Sequence, residues 1–178
     1  MSEDYQALSS TGMKYFHKKD YVLAADYFSR AAEGAKASQQ DVDEAEIRNN
    51  LSVTHLMAGN AHEAYEAALG TDKVFSAHED FKRQAMALGN IAQALEELKD
   101  YPQALSVYEE AIALLKGRNF NEIRSVLLRR KSAVQRKMGD TYQAVASLDT
   151  SIDEKPRQNL NDRFLKQFLD RIFLRKKA

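Results

Sequence analysis

The stretch Asp100-Tyr101-Pro102-Gln103-Ala104 decides the fold, because similar phrases stand at equal distances before and after it. The four phrases end at Ala24, Ala64, Ala104 and Ala144, which gives a constant 40-residue period. The other three read Asp20-Tyr21-Val22-Leu23-Ala24, Asn60-Ala61-His62-Glu63-Ala64 and Asp140-Thr141-Tyr142-Gln143-Ala144. A fixed period of this size is typical of solenoids, in which each copy buries its apolar face against its neighbours. The functional question therefore concerns a repeated surface.

The segments between these phrases carry the helical period. From Ala85 to Leu98 the apolar residues recur at the three-and-four spacing of one helix face. No segment alternates with period two, and two prolines and seven glycines leave room for long helices. We predict four helical hairpins and a last helix, at 3–18 with 21–37, 42–58 with 61–75, 77–98 with 101–116, 120–138 with 141–155, and 160–175.

Composition and charge exclude several classes of protein. Hydrophobic residues make up 44% of the chain and charged residues 29%, which favours a folded core over disorder. The absence of cysteine excludes disulfides and thiolate zinc sites. The acidic start and the lack of any long apolar run predict neither a signal peptide nor a membrane span, and hence a cytoplasmic protein without a membrane partner. The net charge is zero, but the charges are unevenly distributed along the chain. Residues 1–118 hold 12 basic and 19 acidic residues, whereas residues 119–178 hold 14 basic and 7 acidic residues.

The repeat resembles the tetratricopeptide repeat (TPR) family. The resemblance rests on one motif in the first copy and one in the third. The first is Leu8-x2-Thr11-Gly12-x2-Tyr15 followed by Ala24-x3-Phe28, and the second is Leu88-x2-Ile91-Ala92-x2-Leu95 followed by Ala104-x3-Tyr108-x2-Ala111. The usual period of that family is about 34 residues. The longer period found here resembles the long-period (about 40-residue) subclass of kinesin light chains, cell-polarity adaptors and many bacterial regulators. The resemblance covers about residues 5–155. It is weaker in the second copy, which has Gly70 and Thr71, and in the fourth, which has Lys131 and Gln135 at apolar positions.

The resemblance implies an all-α, right-handed superhelical α-solenoid of four TPR-like repeats and a C-terminal capping helix. The repeats would occupy residues 1–156, at about 5–40, 41–80, 81–120 and 121–156. Residues 157–178 would form an amphipathic capping helix and a basic tail, with Leu160, Phe164, Leu165, Phe168, Leu169, Ile172 and Phe173 on its apolar side. The alternative for this helix is a dimer contact or a partner-docking surface.

The first helix of each hairpin would line a concave wall that binds an extended or helical peptide, as the resemblance implies. The binding residues predicted on this wall are Asn49, Asn50, Asn90, Gln93, Arg129, Arg130, Arg136 and Lys137. Asn50, Asn90 and Arg130 recur with the period of the repeat and would form a ladder. A carboxamide suits a peptide backbone because it offers a donor and an acceptor, and arginine can fork onto a carboxylate. Alternatively, one asparagine makes a helix-to-helix bond and the basic residues are a solvated helix face.

The sequence predicts a non-catalytic protein–protein interaction scaffold or adaptor without a cofactor. Its partner would be a protein or peptide with acidic or C-terminal carboxylate groups, and the last helix could also form a homodimer. The four histidines lack the spacing of metal ligands, and no phosphate-binding loop or nucleophile motif occurs. The alternative function is a nucleic-acid-associated or peptide-sensing regulatory module that uses the basic C-terminal end, although nucleic acid is the less favoured ligand.

Overall fold

The chain is helical along the whole of its described length. The computed structural model describes the backbone of residues 4–173 and the side chains of residues 4–171. Within these limits it contains ten α-helices and no strand, which confirms the predicted all-α class. The helices are α1 (Tyr5–His17), α2 (Tyr21–Ala37), α3 (Asp41–Ala58), α4 (Ala61–Ala68), α5 (Thr71–Ala77), α6 (Phe81–Glu97), α7 (Tyr101–Leu114), α8 (Asn121–Lys137), α9 (Thr141–Glu154) and α10 (Leu160–Phe173).

The chain divides into two compact units, residues 1–100 and residues 101–178. In the first unit α1 packs against α2, α2 against α3, and α3 against α4, α5 and α6. In the second unit α7 packs against α8, α8 against α9, and α9 against α10. In the first unit α3 thus also contacts helices further along the chain, whereas in the second unit each helix packs against its neighbour in the chain. The division into four repeats at the predicted boundaries stays a prediction.

Small residues are buried wherever the period of the repeat places them. Buried in this way are Gly12, Ser52, Ala92 and Ser132 in the first helices, and Ala24, Ala64, Ala104 and Ala144 in the second helices. The Ser52 hydroxyl donates to the Ala64 carbonyl oxygen at 2.7 Å, and the Ser132 hydroxyl donates to the Ala144 carbonyl oxygen at 2.6 Å. The same bond therefore joins two paired helices in each unit, at a spacing of 12 residues.

The connections between helices are short, and several of them end with an aspartate that caps the next helix. The side chains of Asp20, Asp80 and Asp140 each accept a hydrogen bond from the backbone N–H three residues further on. Such a cap satisfies one of the free N–H groups at a helix start. Gly139 has φ +85°, a left-handed conformation that favours glycine at the end of a helix. These caps fix the starts of α2, α6 and α9.

The predicted helix 61–75 is wrong, because the chain breaks there into α4 and α5. Gly70 adopts φ +83° between them, a conformation that ends a helix and that a residue with a side chain rarely takes. The Arg48 guanidinium donates to the carbonyl oxygens of Glu66 at 3.2 Å and Leu69 at 2.9 Å. The Thr71 hydroxyl donates to the Ala68 carbonyl oxygen at 2.7 Å. Side chains thus satisfy the carbonyl groups that the break releases.

The apolar side predicted for the capping helix is divided in the structure. Leu169 is buried and Leu165 is half-buried, whereas Leu160, Phe164 and Phe168 are exposed. The expectation that the whole apolar side covers the end of the fourth repeat is therefore wrong for these three residues. The side chains of Ile172 and Phe173, and the predicted extension of the helix to residue 175, lie outside the described part of the chain.

Candidate binding faces of the two units

A polar cleft opens between α1 and α3 in the first unit. Its volume is about 220 Å³. It is lined by Tyr5, Gln6, Ser9, Asp43, Glu46, Ile47 and Asn50. The Tyr5 hydroxyl donates to the Asp43 carboxylate at 2.8 Å, and this hydrogen bond raises the pKa of Tyr5. Carboxamides and carboxylates dominate the lining, so the cleft is rich in acceptors for the N–H groups of a bound chain.

The predicted asparagines have two different environments in the first unit. Asn50 lines the cleft between α1 and α3. The neighbouring Asn49 lies with its Oδ1 3.1 Å from the Thr71 hydroxyl and accepts from the Asn90 side chain at 3.4 Å. The alternative role predicted for Asn50 or Asn90 was a helix-to-helix bond, and the side chain of Asn90 in α6 makes such a bond to Asn49 in α3. Gln93 is half-buried on α6, one turn beyond Asn90.

Arg83 organises the carboxylates beside this cleft, although it is not among the predicted binding residues. Its guanidinium lies 2.6 Å from the Asp80 carboxylate and 3.0 Å from the Glu46 carboxylate, and it stacks over the Phe75 ring. The Arg83 backbone N–H is the main cause of the lowered pKa of Asp80, to which the guanidinium adds. Glu46 is thus held in place at the edge of the cleft. The spacing of Asp80 and Arg83, three residues apart on one helix start, is the sequence signal for the first of these pairs.

The predicted basic residues of α8 separate into paired and exposed side chains. Arg129 is bound at 2.7 Å to the carboxylate of Asp162 in α10, and Lys137 lies over the Tyr101 ring at 5.7 Å. Arg130 and Arg136 are exposed on α8. In the described part of the chain, no carboxylate pairs with either of these two guanidinium groups. They are the members of the predicted basic set whose charge is open to a ligand.

A second cleft lies beside the basic helix α8. Its volume is about 520 Å³. It is lined by Glu122, Ser125, Val126, Arg129, Lys155, Pro156 and Arg157. Three cations and one carboxylate give this lining a positive balance, in contrast to the cleft of the first unit. The two units therefore present different chemistry, acceptor-rich in the first and cationic in the second.

Asp162 is the centre of the charge network in the second unit. Its carboxylate contacts the Lys155 ammonium group at 2.5 Å and the Arg129 guanidinium at 2.7 Å. It also accepts from the Asn159 backbone N–H at 3.0 Å, while Asn159 accepts in return from the Asp162 backbone N–H at 2.8 Å. These bonds to the charged form, that of Lys155 first, lower the pKa of Asp162 to about 2. The reciprocal pair is a capping box that starts α10.

Two other kinds of site are absent from the described residues. Among them, no group of three or more His, Asp or Glu side chains is arranged to hold a metal ion. Likewise, no described helix combines the length and the apolar character needed to cross a bilayer. His55 is half-buried, and its Nδ1 is buried without a hydrogen-bond partner. Burial lowers its pKa.

Paired helices, a constant spacing of buried small residues and short capped connections define a TPR-like helical-repeat protein, as predicted. The chain belongs to the soluble NSF attachment protein (SNAP) family, whose model matches residues 3–176. No curated protein matches the chain at a significant level. Membership of the long-period TPR subclass stays a prediction.

Several solved structures share the fold. The apo form of RapI is 15% identical, with a TM-score of 0.78, over 96% of this chain and 49% of that one. BtubC (BKLC) from P. vanneervenii is 18% identical, with a TM-score of 0.75, over 87% of this chain and 68% of that one. A Rap protein complexed with Competence and Sporulation Factor is 16% identical, with a TM-score of 0.73, over 98% of this chain and 50% of that one. The chain thus spans about half the length of the two Rap structures.

Proposed function

We propose that this chain is a non-catalytic adaptor that binds a protein or peptide segment on the first helices of its hairpins. The name of its family describes an attachment role, and a Rap protein of the same fold was solved in complex with a factor. Both facts support a binding role. We also propose that the repeat is of the long-period TPR form, because the constant spacing of buried small residues extends through both units.

The observation that carries the proposal is the cleft between α1 and α3. Asn50 was predicted to contact a ligand, and it lines this cleft together with Gln6, Ser9 and Glu46, which lie on the same predicted wall. The carboxamides of Asn50 and Gln6 can each donate and accept, which suits the alternating groups of an extended backbone. A peptide main chain is therefore the chemistry that fits the first unit.

The second unit favours a different part of a ligand. Arg130 and Arg136 are exposed, and among the described contacts neither has a carboxylate partner. A guanidinium presents two parallel N–H donors to a carboxylate. We therefore propose that the second unit contacts acidic side chains or a C-terminal carboxylate of the partner.

A peptide-display selection on the purified chain tests this proposal. Peptides enriched from a random library are synthesised, and their affinities for the wild type are measured by calorimetry. We then expect the triple variant Asn50→Ala, Asn90→Ala and Arg130→Ala to fold normally, because exposed or half-exposed substitutions usually change stability by less than about 0.5 kcal/mol. Each lost contact to a desolvated ligand group costs about 1–3 kcal/mol, so affinity should fall at least about 100-fold.

The matched control changes three exposed residues of the second helices. Glu33→Ala, Glu66→Ala and Gln143→Ala remove polar side chains of similar size from α2, α4 and α9, away from both clefts. We expect this variant to retain the affinity of the wild type. Failure to enrich any peptide, or equal affinities of the two triple variants, would contradict the proposal.

Nucleic-acid binding through the basic end is the weaker alternative. Arg129 is bound to Asp162, and Lys131 is bound to Glu109 at 2.9 Å, so part of the positive charge on α8 is neutralised within the second unit. Fluorescence polarisation with random-sequence single-stranded and duplex DNA separates the two functions. Binding that weakens steeply with salt and is lost in Arg130→Ala would favour the alternative.

A further inference from the structure

The helix α10 carries an apolar ridge on its outer side. Leu160, Phe164 and Phe168 follow one another at intervals of four residues and so lie on one face of the helix. Their exposed fractions are 81%, 72% and 52%. A phenylalanine side chain presents roughly 150–250 Å², so the ridge exposes about 350 Å² of apolar side chain. Exposed apolar patches of about 300–600 Å² on a monomer are often functional.

Ion pairs on the opposite side of α10 hold the ridge outward. Asp162 is bound to Arg129 of α8 and to Lys155 before the helix. One turn further on, Lys166 contacts the carboxylates of Asp149 at 2.7 Å and Asp153 at 2.9 Å in α9. A rotation of α10 that buried the phenylalanines would break these pairs and would leave Asp162 without its partners. The exposure of the ridge is therefore fixed by the packing of the second unit.

The two fully exposed charges beside the ridge are both cationic. Arg163 and Arg171 are exposed next to it, and no carboxylate is paired with either of them among the described residues. Of the two acidic residues in α10, Asp162 is buried against the body of the unit and Asp170 is half-buried. An occupant of this surface must therefore be both apolar and anionic.

We propose that the outer face of α10 docks the chain onto an anionic membrane surface. Leu160, Phe164 and Phe168 would enter the boundary between headgroups and acyl chains, and Arg163 and Arg171 would bind lipid phosphates. A helix with an apolar face and cationic flanks lies in the plane of the interface in this way. The helix lies on the surface and does not span the bilayer, in keeping with its 14 residues.

Two other occupants fit the ridge less well. A second copy of the chain, the homodimer that the sequence analysis considered, would bring Arg163 and Arg171 of both copies into one contact, where like charges repel. A protein partner would have to supply a groove with acidic rims for a convex ridge, since apolar anchors of protein interfaces are buried in pockets. A lipid surface accommodates the ridge as it stands.

Co-sedimentation of the full chain with vesicles tests the proposal. The probes are vesicles of phosphatidylcholine alone and vesicles of phosphatidylcholine with a minority of phosphatidylglycerol, each at low and at high salt. We expect sedimentation with the anionic vesicles only, weakened by salt. Phe164→Ala with Phe168→Ala should lower the partition coefficient at least about tenfold. Arg163→Gln with Arg171→Gln should lower it by about fivefold for each arginine.

The control variants make matched changes elsewhere on the surface. Val22→Ala removes apolar surface from a side chain that is 80% exposed, and Lys36→Gln with Lys116→Gln removes two exposed charges. Both should sediment like the wild type, and circular dichroism melting confirms that all variants are folded. The proposal is wrong if anionic vesicles bind no more protein than neutral ones, or if the ridge variant binds like the wild type. It is also wrong if light scattering shows a dimer that the ridge variant dissociates, because a second copy would then be the occupant.

Discussion

Replacing Asp162 by Asn should weaken the attachment of α10 by about 1 kcal/mol. The pKa of the carboxylate is lowered from 3.8 to about 2, mainly by the Lys155 ammonium group. Without solvent screening, this shift in pKa would correspond to roughly 2 kcal/mol of stability. We expect about half of this value, because the side chains of Arg129 and Lys155 are 41% and 31% exposed and water screens both pairs. The asparagine side chain can still accept from the Asn159 backbone N–H, so the helix start is retained.

The sign of the pH dependence follows from the lowered pKa. The contribution of the Asp162 charge is present above the unfolded value of 3.8 and is lost as the pH falls towards about 2. Urea unfolding at neutral pH should therefore show a lower stability for Asp162→Asn, and the difference from the wild type should shrink as the pH falls through this window.

Hydrogen exchange locates the effect, since the amides of α10 should lose protection before those of α7 and α8. The matched control is Asp170→Asn, the same chemical change on the same helix at a residue with no ion pair among the described contacts. Equal stabilities of the two variants, or a difference that does not change with pH, would refute this reasoning.

Three further changes test other contacts. Gly70→Ala should destabilise the chain by at least about 1 kcal/mol in urea unfolding, because φ +83° is strained for alanine; an unchanged midpoint would contradict the break between α4 and α5. Ser52→Ala should cost about 1 kcal/mol in the same assay, because it removes the buried hydrogen bond that joins the two paired helices; an equal midpoint would show that the bond contributes nothing. His55→Phe should abolish the fall in melting temperature as the pH drops below 6.5, because burial lowers the pKa of His55 and protonation then favours the unfolded chain; a wild type whose melting temperature stays constant there would show the expectation to be wrong.

The buried positions could be predicted from the sequence because they obey one steric rule. Helices that pack closely need small side chains at the contact, and the constant spacing of Ala24, Ala64, Ala104 and Ala144 reports this need directly. The helix starts follow from the aspartates that cap them. Most helix ends lie within a few residues of the prediction, since termination depends on local chemistry that the sequence displays.

The break at Gly70 could be anticipated only in part. Gly70 and Thr71 stand out in the sequence as departures from the repeat, but a glycine within a helical pattern is also tolerated in many helices. The break persists because Arg48, in the preceding helix of the hairpin, donates to the released carbonyl oxygen of Leu69. That compensation depends on the tertiary packing of α3 against α4 and α5, which no local pattern displays.

For the candidate binding residues, too, the sequence pattern does not show the tertiary contacts that decide their roles. The ladder of Asn50, Asn90 and Arg130 is visible as a spacing, but the spacing does not distinguish a cleft-lining Asn50 from a structural Asn49 beside it. Nor does it show that Arg129 is bound to Asp162 in another helix. The orientation of α10 was not predicted because it also depends on tertiary contacts. The amphipathic pattern alone predicts that the apolar side is buried, whereas ion pairs on the opposite side of the helix keep part of it exposed.

The departures from the repeat are therefore the best guide to what each unit recognises. Close packing restricts the buried positions to small residues in every copy, whereas no such constraint acts on the exposed ones. At one exposed position the first unit has Glu46 and Met86 and the second has Val126. At the ladder position the first unit has Asn50 and Asn90, whereas the second has Arg130. The fold requires none of these differences, so they are the positions at which the proposed recognition of a peptide backbone by the first unit and of a carboxylate by the second can be tested. Variants confined to one unit should then alter the response to one of these ligand groups alone.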